Sequence, residues 1–179
     1  MTVDAATLLV RLTARTSAGL FAASLLAGAR RLGPPRPLAR HSLRRDDLAA
    51  FGAWVAAHSI HFAAVARLSF VTDGQTIRAA GGYAGTLAVG LAFYAACIAV
   101  FRVKARPGAG WATIGQRRVE TWTAVVIWII FFQAYALRLN RSPWFATLAV
   151  LLAAALAAFL MRARAAISSN MQGSSVGVS

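Results

Sequence analysis

Two histidines, His58 and His61, sit in an apolar run from Asp46 to Val71 whose one charge between Leu48 and Val71 is Arg67. Their spacing places both imidazoles on one face of a helix. Imidazole is the commonest metal ligand and the side chain that titrates nearest neutrality. Near the centre of a bilayer it is costly to leave unpaired, so each ring needs a hydrogen-bond partner across a helix bundle, a metal or a cofactor. Arg15, in the preceding apolar segment, is the third candidate. At 1.5 Å per residue, Arg15 and His61 both fall ~10–15 Å below the outer surface. The spans offer no carboxylate in their cores, so the Arg15 charge is met by snorkelling to solvent or to Asp73, or by an anionic ligand.

The elements that position these groups follow from composition. With 59% hydrophobic residues, 13% charged residues and a mean hydropathy of +0.61, a water-soluble domain of this length lacks the polar surface to cover itself. The reading is an all-α polytopic membrane bundle. The net charge of +14 does not point to nucleic acid, because the cations cluster between apolar runs, which is a topogenic pattern. Cys97 lies alone in an apolar run and reads as a small buried hydrophobe.

Five spans are expected, at about 6–29, 48–71, 79–101, 119–137 and 144–161. The first needs Arg11 and Arg15 inside it; a cleaved signal peptide ending near Ala27-Gly28-Ala29 is the competing reading of that segment. Pro34, Pro35 and Pro37 break the loop that follows. Asp46 and Asp47 then stand where the second helix begins, complementing its dipole. In the third span, Gly81 and Gly85, and the row Gly82, Thr86, Gly90, read as close-packing faces within the bundle. Glu120 opens the fourth span beside Arg117 and Arg118 and needs no special role there, while Gln133 is expected to bond to a neighbouring helix. Residues 1–167 form one domain, and the Ser/Gly-rich stretch 168–179 reads as a disordered tail.

Cation counting orients the bundle. Arg30, Arg31, Arg36, Arg40, Arg44, Arg45, Arg102, Lys104, Arg106, Arg117, Arg118, Arg162 and Arg164 fall on one side, thirteen against the four of Arg67, Arg78, Arg138 and Arg141 on the other. The N-terminus is therefore expected outside and the C-terminus in the cytoplasm, as in a multi-pass protein of a bacterial inner membrane.

The run Arg15-Thr16-Ser17 with Leu20-Phe21, the basic Pro-containing loop, Arg44-Arg45 before His58-Ser59-Ile60-His61, Gly81-Gly82-Tyr83, and Trp128 to Tyr135 together resemble small bacterial membrane proteins related to the ferric-reductase-like transmembrane domain. The resemblance covers roughly residues 8 to 160 and rests on pattern rather than on one specific motif. It implies b-type haem (haem b) held between helices by histidines from two spans, with His58 or His61 as iron ligand and Arg15 near the propionates. The chain departs from that pattern where the relatives carry a helix-four histidine: here stands Gln116-Arg117-Arg118-Val119-Glu120. Two rings on one face of one helix cannot approach an iron from opposite sides, and His41 lies in the first basic loop. On this resemblance, Glu120→His would restore the missing ligand.

Three function classes follow: a haem-binding electron-transfer protein; a non-catalytic accessory subunit packed against a larger respiratory or photosynthetic membrane complex; and a small transporter lined by His58, His61 and Arg15. The expected partners are the lipid bilayer and a larger membrane complex or a second copy of the chain, with no nucleic acid. The sequence assigns no reaction, and it contains no nicotinamide or flavin domain.

Overall fold

The computed structural model describes residues 2–32, 40–74, 82–105, 114–136, 139 and 143–175. Among them the chain is all-helical, with five helices: α1 (Val3–Arg31), α2 (Arg40–Val71), α3 (Gly82–Ala105), α4 (Ile114–Ala136) and α5 (Pro143–Ser175). Among the described residues, three stretches are long and apolar enough to cross a membrane, namely Ser42–Val71, Leu87–Ala105 and Pro143–Ser168.

α2 and α4 begin earlier than the apolar pattern implies, and α3 and α5 end later. Polar residues with good helix propensity extend α2 back through Arg44 and Arg45 and α4 back to Ile114, because propensity rather than apolarity decides where a helix stops. Asp46 and Asp47 are consequently inside α2, not at its start, and no acidic residue occupies its first turn. The last helix continues to Ser175, through most of the segment expected to be disordered; Ala165, Ala166 and Met171 sustain it before Gly173. Residues 176–179, Pro34 to Pro37 and Gly81 lie outside the described residues. Thr2 caps α1, its hydroxyl accepting from the Ala5 N–H.

The core lies along an antiparallel seam between α1 and α2. On α1 the stripe is Thr13, Ser17, Phe21, Ser24, Gly28 and Arg31; on α2 it is Asp47, Phe51, Trp54, His58 and His61. Both stripes step by three or four residues, the spacing that keeps one helical face toward its partner. Thr13 meets His61, Ser17 meets His58, Phe21 meets Trp54 at a ring separation of 4.8 Å, and Arg31 meets Asp47. A Cβ added at Gly28 would lie 3.1 Å from the Phe159 ring and 3.5 Å from Asp47 Oδ1, so glycine permits the close approach of α1 to α2 and α5.

α4 and α5 close the other side, with Ile127, Phe131, Tyr135, Leu152 and Phe159 buried. The Trp128 indole N–H donates to the Leu152 carbonyl (2.8 Å), and the Tyr135 hydroxyl to the Ala14 carbonyl (2.8 Å). Cys97 is buried, as its apolar surroundings imply. Among the described residues α3 packs mainly on α2 and α4, and lightly. Added Cβ atoms at Gly82 and Gly90 would meet nothing within 4 Å, so these two residues do not seat a neighbouring helix within this chain, contrary to the sequence expectation. Gln133 is exposed rather than turned into the bundle.

Candidate functional site

The seam carries two polar sites separated by aromatic packing. The first is the pair of imidazoles. Thr13 Oγ1 lies 3.1 Å from His61 Nδ1. The same hydroxyl lies 2.8 Å from the Leu9 carbonyl and 3.2 Å from that of Val10, so it links the ring to the backbone of its own helix. Ser17 Oγ holds His58 Nδ1 at 2.9 Å. The two rings lie 5.7 Å apart. His58 is packed among Phe62, Phe93 and Phe131, with ring separations of 4.5, 4.7 and 5.0 Å. Each imidazole is thus oriented by a hydroxyl from α1, and His58 is in addition walled by aromatic rings from α2, α3 and α4.

Arg15 does not join them through that face. It lies two residues from Thr13 and two from Ser17, a turn of roughly 200° around α1, so its Cα–Cβ bond leaves the helix opposite the hydroxyls that hold the histidines. It is half-buried.

The second site is a buried ion tetrad that apolar patterning missed. Lys104 Nζ donates to both oxygens of Asp47, at 2.6 and 2.7 Å, and lies 2.9 Å from Glu120 Oε1. Arg31 donates through Nε to Asp47 Oδ2 at 2.6 Å and through one terminal nitrogen to Glu120 at 2.6 and 2.7 Å. Asp47, Lys104 and Glu120 are almost fully buried, with residue exposures of 0%, 6% and 3%. Two cations and two anions from four helices sum to zero charge, with each charge meeting both opposite partners, the condition under which burial of ions is tolerable. Burial alone would lower the Arg31 pKa, but attraction to Glu120 and Asp47 and the hydrogen bonds to both outweigh it and raise it.

Asp47 and Glu120 therefore have roles that the sequence reading did not give them. The available signal was register. Asp47 falls on the same three-and-four stripe as Phe51, Trp54, His58 and His61, and Glu120 on the stripe of Ala124, Ile127, Phe131 and Tyr135. A small cavity of about 30 Å³, lined by Ser24, Phe51, Lys104, Glu120, Thr123 and Phe159 among others, adjoins the tetrad; it has room for about one water.

These positions test the haem expectation. Glu120 meets the residues that bind Asp47, and Asp47 is eleven residues from His58 on α2, about 16 Å along the helix. A ligand at position 120 and one at position 58 cannot share an iron. At the level of His58, α4 presents Phe131 instead. Among the described residues no group of three or more His, Cys, Asp or Glu is arranged to hold a metal. Among the described residues, His58 and His61 share one helix face and do not fit as the two axial ligands of one haem. No protein-family model, curated protein or solved structure matches this chain.

Proposed function

We propose that the chain is a five-span, N-out integral membrane protein of a bacterial inner membrane that acts as an accessory subunit of a larger membrane complex and carries no redox centre of its own. The observation that carries this reading is the satisfaction of its intramembrane imidazoles. Both Nδ1 atoms are bound to α1 hydroxyls and His58 is enclosed by rings, which is what a hydrogen-bonded helix contact requires. α3 supports the subunit role. It exposes Leu87, Leu91 and Ile98 along with the open glycine Gly90, and a small residue in an apolar helix lets a second backbone come near.

A b-haem electron-transfer role is the competing reading. It rests on the contact of His61 Nδ1 with Thr13, since a histidine held at Nδ1 presents Nε2 to a metal, and it requires five-coordination or a ligand from another chain. Purification separates the two. The accessory reading expects a colourless protein with no Soret band, for wild type and for Glu120→His. It also expects native electrophoresis of mildly solubilised membranes to place the chain in an assembly well above 18.9 kDa, with Gly90→Phe releasing it and Val150→Phe, on exposed α5 surface, leaving it bound. A Soret band lost in His61→Ala would transfer the assignment to haem; a free chain in wild-type membranes would remove the subunit role.

A further inference from the structure

We propose that the tetrad end of the bundle is a built site for the headgroups of anionic phospholipids. Four helices each contribute one ionic residue to the buried tetrad, and each carries an exposed arginine one or two positions before it: Arg30 before Arg31, Arg45 before Asp47, Arg102 before Lys104 and Arg118 before Glu120. Two residues are roughly 200° around a helix and ~3 Å along it. The arginines at 45, 102 and 118 therefore leave their helices on the side away from the tetrad, at nearly its level. α5 adds to the same level. Phe159 packs on Gly28, one turn before Arg31, so exposed Arg162 and Arg164 come one turn later at the tetrad end.

The result is six exposed guanidinium groups, Arg30, Arg45, Arg102, Arg118, Arg162 and Arg164, around a neutral ionic plug. The plug has a second effect. Asp47 and Glu120 are bonded to Arg31 and Lys104 and cannot neutralise the surrounding arginines, which leaves exposed Asp46 as the one carboxylate of α1 to α5 at this level. A cationic ring set by five helices at nearly one height, six guanidinium groups against one exposed carboxylate, matches a layer of phosphate groups, and guanidinium binds phosphate bidentately. The side of the membrane involved rests on the topology proposed above; the lipid chemistry does not.

The test is native mass spectrometry of the full chain released from detergent after incubation with equal phosphatidylglycerol and phosphatidylcholine. Wild type should retain phosphatidylglycerol preferentially, and Arg45→Gln/Arg102→Gln/Arg118→Gln should lower that retention roughly tenfold. The corresponding triple Lys variant should keep most of it, as should Arg11→Gln/Arg67→Gln at the other end of the bundle. Helix content by circular dichroism reports whether each variant is folded. Equal retention of the two lipids by wild type, undiminished retention in the folded triple Gln variant, or equal loss in the Arg11/Arg67 control overturns the proposal. Reporter fusions that reversed the topology would move the site to the other leaflet without altering these outcomes.

Discussion

At the scale of single residues, the histidines show how little a hydroxyl must do to hold an imidazole inside an apolar bundle. Ser17 supplies one hydrogen bond, to His58 Nδ1, and reaches it because both side chains lie on facing stripes of an antiparallel pair. Interhelical bonds of this kind contribute about 0.6 kcal/mol on average and up to about 1.7. Ser17 is fully buried, so its loss falls toward the upper end, because the imidazole nitrogen is left without a partner in a site walled by Phe62, Phe93 and Phe131. Ser17→Ala is expected to cost about 1–2 kcal/mol, read by thermal unfolding in detergent. Ser59→Ala, which removes the exposed Tyr94 hydrogen bond and a bond to the Val55 carbonyl of its own helix, leaves no buried imidazole without a partner and should cost distinctly less. Equal costs would mean that the Ser17 bond does not hold His58. Their common face was legible from the spacing of His58 and His61; their partners were not, since Thr13 and Ser17 acquire meaning only once α1 is known to run antiparallel to α2 in this register.

At the scale of elements, the tetrad ties α1 to α4 and explains why apolar patterning misplaced two carboxylates. A carboxylate at the edge of an apolar run satisfies the helix dipole or a partner across the bundle equally well in one dimension, and only the packed register separates these roles. Asp47 and Glu120 are on core stripes, whereas Asp46, one residue away, is exposed. The same register makes the tetrad fragile to single changes. Lys104→Met leaves two buried carboxylates with one guanidinium, and removing one partner of a buried ionic group costs about 3–5 kcal/mol. Lys104→Met combined with Glu120→Met leaves the Arg31–Asp47 pair at zero net charge. The double variant should therefore recover much of the loss, and a double-mutant cycle on thermal or denaturant unfolding measures that coupling. Strict additivity would show that the four groups do not act as one neutral unit.

At the scale of the whole molecule, the tetrad also bears on how many helices cross the membrane. It brings the C-terminal ends of α1 and α3 and the N-terminal parts of α2 and α4 to one level, so these helices alternate in direction. Ser42–Val71 and Leu87–Ala105 are long and apolar enough to cross. α1, with 29 residues, and α4, with 23, lie beside them, and at 1.5 Å per residue their whole lengths of ~43 and ~34 Å match the ~30 Å hydrocarbon thickness, α4 reaching ~24 Å beyond the tetrad. Their hydropathy is diluted by Arg11, Arg15, the hydroxyls of the seam and Glu120; the seam hydroxyls and Glu120 are accommodated by partners within the bundle, and long arginine side chains reach toward the interface. If α2 and α3 span, α1 and α4 are carried across with them, and the run Pro143–Ser168 makes five. The arginine-rich loops then share the cytoplasmic side. Alkaline phosphatase and fluorescent-protein fusions at Gly74 should report outside, and those at Gly108 inside. Fusions after Arg31 should report inside as well, which distinguishes five spans from three. An outside signal after Arg31 would place α1 on the wrong side of the tetrad and overturn the five-span arrangement.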